Sequence, residues 1–375
     1  MRVLVAPQEF KESLTAREVS TAIKRGIQRT HPEWEINTLP MSDGGPGFLD
    51  IVNTHVSSTL HQVQVHNAAG NVINANYLGL NEKSIALIEA AQANGIALIS
   101  PHERNPITAT SAGVGDLITA ALKKQYGKIV IGVGGSASTD GGIGMANTLG
   151  AQFLDKRGNS IASNPSELYK LDEIKWHPSL TIQNTSFQVV SDVKNPLLGP
   201  MGAATIFGPQ KGATSEQIPF LEAGLTQLKK VMQSSLGIDV STLEGGAGAG
   251  GLAAGLVAFL GADIQSGFNF VADTIKFEKY LKAADVVITG EGRYDDQSAN
   301  GKTTGHIKKL CKKLQVPCIL FVGETTSQDK DIWTLTNDIT SKEDAMHEAP
   351  SLLEKMARKW AEDYKFKDHL AESDQ

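Results

Sequence analysis

The sequence predicts an α/β protein with two domains: a Rossmann-like parallel-sheet domain built from both ends of the chain, and a second α/β domain inserted between them. Three observations predict it. The chain opens on a strand, helix, strand rhythm, and the same rhythm returns past Ala283. Between them an antiparallel hairpin breaks the pattern. At 375 residues the chain also exceeds what one hydrophobic core serves. The expected division is 1–61 with 284–375 for the first domain and 62–283 for the insert, and a cleft between the two is the expected site.

Taking the elements in order, Val3-Leu-Val-Ala6 reads as a strand, and Thr15 with Glu18 forms a Ser/Thr-x-x-Glu capping box before a helix carrying Val19, Ala22, Ile23 and Ile27 on one face. Ile36-Asn-Thr-Leu39 is a second strand, closed by Pro40 and the loop Ser42-Asp-Gly-Gly-Pro-Gly47. Gln62 to Val65 and Val72 to Tyr77, joined through Asn67-Ala-Ala-Gly70, read as the hairpin. Ile85 to Ala93 reads as helical, as does Ser111 to Lys124; Ile129-Val-Ile131 is a strand leading into the glycine loop 132–144. Gln188-Val-Val190 is a strand before Ser191-Asp-Val-Lys-Asn-Pro196, and Gly245 to Gly251 opens an alanine-rich helix reaching about Leu260. Val286 to Ile288, a helix near Thr304 to Leu314, Cys318 to Val322, a weaker strand at Trp333 and a helix over 346–366 complete the reading, with a polar, frayed tail.

The charge balance is mildly acidic, 35 Lys plus Arg against 41 Asp plus Glu, with no basic block, which speaks against nucleic acid as a partner. The opening residues turn polar by Gln8 and no apolar run approaches bilayer-spanning length, so no membrane association and a cytoplasmic location are expected. The two cysteines, Cys311 and Cys318, are spaced neither as a zinc site nor as a dithiol motif, and read as buried or inert thiols. Composition leaves monomer and homodimer equally open.

Five loops share a signature of glycine beside a carboxylate, amide or lysine: Ser42 to Gly47, Gly132 to Gly142, Ser191 to Pro196, Phe207-Gly-Pro-Gln-Lys-Gly212 and Thr289 to Lys302. Glycines let backbone N–H groups converge on phosphate oxygens, lysine and arginine neutralise them, and carboxylates hold Mg²⁺. Together the loops point to phosphoryl chemistry; singly, each reads equally as a tight turn, and the last as a solvated charged loop. Gly132-x-Gly134-x-x-Ala137 with Asp155 imitates a dinucleotide fingerprint, but a helix would have to start through Asp140-Gly-Gly-Ile-Gly144, which is poor in helix formers. No Gly-x-x-x-x-Gly-Lys-Ser/Thr is present, which excludes a P-loop enzyme at motif level, and no Gly-x-Ser-x-Gly elbow surrounds Ser136. His306 is the one histidine beside a candidate loop and reads as a surface residue.

The ordered loops resemble the bacterial glycerate kinases of the glyoxylate- and glucarate-pathway type over nearly the whole chain. The resemblance rests on Phe10-Lys-Glu-Ser-Leu14, Asp43-Gly-Gly45, Arg104-Asn-Pro106 with Thr110-Ser111, Gly132 to Met145, Asp192 with Asn195 to Pro200, Phe207 to Ala213, Gly248 to Gly255, and Thr289 to Arg293 with Asp295, Gln297-Ser298 and Gly301-Lys302. It implies ATP-dependent phosphorylation of D-glycerate or a related small hydroxy acid, with the 2-hydroxyl the expected acceptor and Mg²⁺ accompanying the nucleotide. On that reading Asp192, and after it Asp43, accepts the hydroxyl proton, while Arg293 and Lys302 neutralise charge. Lys11, Gly134, Gly135, Ser136, Lys211, Gly290 and Gly292 contact the nucleotide; Arg104, Asn195, Gln297 and Ser298 contact the substrate; Glu291 or Asp295 holds the metal. Departures from the family pattern are Gln8-Glu9 in place of Asp-Ser, Pro46 where Glu usually stands, and Thr303-Thr304 after Lys302. Two other readings stay open: a catalytically silent sugar-acid-binding protein of the same fold, and a nicotinamide-dependent hydroxy-acid dehydrogenase.

Overall fold

The computed structural model describes residues 1–11, 13–82, 84–295, 303–327, 329–336 and 342–364. It forms two compact α/β units, Met1–Met41 with the residues from Lys276 onward, and Ser42–Ile275. Both seams fall earlier in the chain than the expected ones, for packing reasons. Helix Phe48–His55 buries Phe48, Leu49, Ile51 and Val52 and packs on strand Ile85–Glu89 of the second unit, whereas helix Phe277–Ala283 packs on strand Arg2–Val5 of the first.

The first unit is built on a five-stranded, all-parallel sheet in the order Ile332–Thr334, Cys318–Thr325, Val286–Tyr294, Arg2–Val5, Glu35–Thr38. Its central runs, Val3 to Val5, Val286 to Ile288 and Leu320 to Val322, are buried on both faces, as parallel strands sandwiched by helices must be. Thr15 caps helix Ala16–Thr30 in the expected reciprocal box with Glu18. That helix buries Val19, Ile23 and Ile27, each contributing roughly 1.5–3 kcal/mol, and packs along helix Ala349–Asp363. Gly26 permits the approach, since a Cβ there would collide with the Glu354 carbonyl. The expected single helix over 346–366 is two, Lys342–His347 and Ala349–Asp363, the second starting with a proline in its first turn.

The second unit holds a six-stranded mixed sheet in the order Asp263–Gln265, Ser186–Val190, Lys128–Gly132, Ile85–Glu89, Val72–Leu80, Ser58–His66. The first four strands run parallel, and the last two form the expected hairpin. Ile85 to Ala93 is not a helix. Ile85–Glu89 is an inner strand flanked on both sides, and only Ala91–Asn94 is helical. A short, almost uninterrupted apolar run carries no period with which to tell strand from helix; sheet pairing on both edges decides it here. Gln152–Asp155 and Leu171–Lys175 add a separate antiparallel ribbon, and helices Ala112–Lys123, Gln217–Leu236 and Leu252–Leu260 pack into the same core.

Candidate functional site

In the second unit the loops that carry the sequence motifs gather at the carboxyl ends of the parallel strands Lys128–Gly132 and Ser186–Val190, where ligands of open α/β sheets bind. Asp192 lies two residues past its strand. Its carboxylate accepts from Ser266 Oγ at 2.7 Å and from the backbone N–H of Phe268 at 3.1 Å, so it sits on the first turn of helix Gly267–Thr274. Both oxygens are thereby oriented, and the carboxylate is half-buried rather than lost in a core. The Asp43 backbone reaches the same place: a Cβ on Gly267 would collide with the Asp43 carbonyl, so Gly267 brings the two aspartates' segments side by side. Asp43 Oδ1 accepts from the Gly45 N–H at 3.0 Å, closing a turn that Gly44 enters at φ +90° with Val190 against it.

The glycine loop after Lys128–Gly132 is seated beside that turn, because Gly134 packs against Gly45 and Gly135 against Pro46. Gly135 is left-handed, with φ +64°. Among the described residues, the N–H groups of Gly134, Gly135 and Ser136 have no hydrogen-bond acceptor, whereas those of Ala137 and Ser138 go to Asn94. Three consecutive N–H groups without acceptors, around a left-handed glycine at a strand end, are donors of the kind that hold an anion.

Beneath the loop lies a buried polar network. Asp140 accepts from Ser111 N–H at 2.7 Å, Ser111 Oγ at 2.8 Å, Gly142 N–H at 3.1 Å and Gly144 N–H at 3.2 Å. Burial pushes its carboxyl pKa up, and these donors oppose that shift. Lys211 is 2% exposed, and its ammonium donates to Ser136 Oγ at 2.9 Å and to the Ser138 carbonyl. Burial lowers its pKa to about 7, against the pull of Asp140. Lys211 thus donates to the loop from beneath.

The other expected residues fall as follows. Arg104 is half-buried beside Gly212, its Nε donating to the Ile99 carbonyl at 3.4 Å, and Asn195 donates to the Met201 carbonyl at 2.8 Å, which holds the 195–202 turn. In the first unit, Val286–Tyr294 is a continuous strand, so the segment from Thr289 to Tyr294 is not the loop the sequence suggested. Gly290 is buried in the ladder, where a side chain would collide with the Phe321 carbonyl; that glycine is explained by strand approach. Gly292 packs on the backbone of Phe10 and Lys11, bringing Lys11 alongside this strand. Glu291 is 7% exposed, and Arg293 stands outward with Asp295 at 3.9 Å and Glu324 at 3.7 Å. Gln297, Ser298 and Lys302 lie outside the described residues. Among the described residues no cluster of three or more His, Cys, Asp or Glu side chains is placed to hold a metal.

Sequence reasoning missed Glu89, which ends the strand Ile85–Glu89 and is 3% exposed. Its carboxylate accepts from the Leu49 N–H at 3.2 Å and so caps helix Phe48–His55, whose N-cap Gly47 has no side chain to do it. A carboxylate closing an apolar run was the available signal. Asp155, required by the dinucleotide reading, instead folds the turn of the separate ribbon by accepting from Arg157 and Asn159 N–H groups.

Parallel strand ends carrying a glycine loop and fixed carboxylates define an α/β enzyme of the strand-end ligand class. Comparison with known proteins narrows it. A family profile described as the glycerate kinase family matches residues 3–365. A glycerate kinase of Halalkalibacterium halodurans is 37% identical over 367 residues, covering 95% of this chain and 96% of that protein. A glycerate 2-kinase of Escherichia coli is 37% identical over 329 residues, covering 87% and 86%. A crystal structure reported as glycerate kinase 2 of Salmonella typhimurium superimposes with a TM-score of 0.78 at 37% identity, covering 96% of this chain and 97% of that one. The chain belongs to the glycerate kinase family, and it is a kinase.

Proposed function

We propose that the protein transfers the terminal phosphoryl group of ATP to the 2-hydroxyl of D-glycerate, yielding 2-phosphoglycerate and ADP. The observation that carries this reading is the pairing, within one unit, of three N–H donors at Gly134 to Ser136 with the doubly oriented carboxylate of Asp192. The relatives named glycerate kinase, and in E. coli glycerate 2-kinase, support the substrate and the position.

In the step itself, the glycerate hydroxyl oxygen bonds to the γ-phosphorus, the bond from that phosphorus to the β-bridging oxygen breaks, and the hydroxyl proton passes to Asp192. Ser266 and Phe268 N–H aim the carboxylate, and the neighbouring Asp43 is the second candidate for that role. The N–H groups of Gly134 to Ser136 hold phosphate oxygens of the moving group in place. Such transfer depends chiefly on alignment and charge neutralisation. Mg²⁺, usually held by one or two carboxylates plus substrate phosphates, would screen the phosphate charge. Arg104 and Asn195 are proposed to select the small hydroxy acid.

Nucleotide dependence tests the reading against its rivals. Glycerate-stimulated ADP release and protection against proteolysis by ATP with Mg²⁺ are expected. Protection by a nicotinamide nucleotide would point to a dehydrogenase, and protection by glycerate without any nucleotide turnover to a silent binding protein.

A further inference from the structure

Lys211 is the most deeply buried cation among the described residues, and three loops converge on it. It ends the turn Pro209–Lys211, its Nζ donates to Ser136 Oγ at 2.9 Å and to the Ser138 carbonyl, and the loop 245–251 closes over it. Closure requires Gly250: at φ +69° a side chain there would collide with the Ser138 carbonyl and lie 2.7 Å from Lys211 Nζ. The Gly141 N–H donates to the Gly250 carbonyl at 3.1 Å, which ties this lid to the glycine loop as well. From the other side, Asn94 Nδ2 donates to Ser138 Oγ at 2.9 Å, and the Asn94 carbonyl accepts from Ala137. The stretch from Ser136 to Ser138 is thus gripped on both sides, while the N–H groups from Gly134 to Ser136 point to no acceptor among the described residues.

We propose that Lys211 is a positioning residue of the anion loop: it fixes the Ser136–Ser138 backbone from beneath, so that the Gly134, Gly135 and Ser136 N–H groups converge, and it does not itself touch the ligand. This rests on the proposed reading that the loop holds an anion of the phosphoryl-transfer reaction. An ammonium that gives two of its three donors to a serine hydroxyl and a main-chain carbonyl orders a loop in a way no apolar side chain of that length can, because both acceptors lie on the segment that must not move. The shared chemistry of the ligand is an oxyanion, from a nucleotide phosphate or from a substrate carboxylate, and binding of each is measured separately.

The test compares the full-length protein with Lys211→Met, which keeps the chain length and removes the donors. Calorimetric titration with ATP plus Mg²⁺ and with D-glycerate gives two dissociation constants for each protein, and scanning calorimetry reports folding. Misplaced N–H donors should weaken one of the two anions about tenfold or more and leave the other within about twofold; a merely structural role would move both together or neither. Both constants within twofold of the parent's, or an equal loss in both, overturns the proposal. Because binding rather than turnover is read, absence of glycerate-dependent turnover in the parent would sink the functional reading while leaving this comparison intact. Should Lys211→Met fail to fold, amine labelling of the parent protein decides. Lys211 should resist labelling with and without ATP, and labelling that ATP suppresses would show a direct ligand contact and overturn the proposal.

Discussion

Asp140→Asn is the sharpest probe of the buried network, because it changes charge and hydrogen-bonding capacity without changing volume. Oδ2 serves Ser111 N–H, Ser111 Oγ and Gly144 N–H, and Oδ1 serves Gly142 N–H and Ser138 Oγ. An amide must turn its NH₂ toward one of these sets. In either orientation a buried backbone N–H then faces a donor, at about 1–3 kcal/mol. The remaining bonds lose their charge assistance, and Lys211 loses the carboxylate that supports its proton. Breaking one partner of a buried charged network costs about 3–5 kcal/mol, so about 4 kcal/mol is expected here. For a unit the size of Ser42–Ile275, each kcal/mol lowers Tm by about 2–4 °C, giving a fall of about 12 °C. Scanning calorimetry of the parent, Asp140→Asn, Lys211→Met and the double variant measures it. The double variant should be less destabilised than the sum of the singles by about 1 kcal/mol or more, since it removes both charges together. A Tm within 3 °C of the parent's for Asp140→Asn, or strict additivity, would refute the network's role.

Three further outcomes are expected. Asp192→Asn should cut turnover about a hundredfold or more, the scale of general-base removal, with Tm nearly unchanged because the amide oxygen can accept from the Phe268 N–H while the NH₂ donates to Ser266 Oγ; more than half of parental activity would pass the role to Asp43. Gly250→Ala should cost more than about 2 kcal/mol in denaturant unfolding, from left-handed strain plus collision with the Ser138 carbonyl, and a loss below 0.5 kcal/mol would show that the loop 245–251 does not close over Lys211. The pH dependence follows from Lys211, whose folded pKa of about 7 lies below its ordinary 10.5. The unfolded chain holds that proton longer, so the penalty is full below pH 7 and fades as pH rises toward 10.5. Between pH 7 and 9 the parent should gain about 2 kcal/mol of stability relative to Lys211→Met, and an unchanged difference between the two proteins would contradict a buried, depressed amine.

What could be read from the chain was what local chemistry decides. The Thr15–Glu18 box, the buried triplets of the parallel strands and the hairpin around Asn67 to Gly70 each carry their signal within a few residues. Ile85–Glu89 was misread because a five-residue apolar run has no usable period, and its identity as a strand comes from neighbours distant in sequence. Helix Gln217–Leu236 went unread, with Pro219 near its start and its apolar face supplied by partners such as Leu168. In the second unit the motif loops were legible as loops, whereas Thr289 to Tyr294 is strand, and the side of each loop that a side chain takes was not legible. Lys211 donates to the Ser136 hydroxyl and the Ser138 carbonyl, and Gly290 sits in a motif yet serves a strand contact.

The central claim is decided most directly by identifying the product. The protein incubated with ATP, Mg²⁺ and D-glycerate, followed by phosphorus NMR with proton coupling, reports both transfer and position. The expected spectrum shows ADP growing in step with a phosphomonoester signal split as a doublet by the single proton on carbon 2 of 2-phosphoglycerate. A triplet from the two protons on carbon 3 would mean the 3-hydroxyl is the acceptor and would contradict the assigned position, and ATP persisting unchanged beside glycerate would contradict the kinase reading itself.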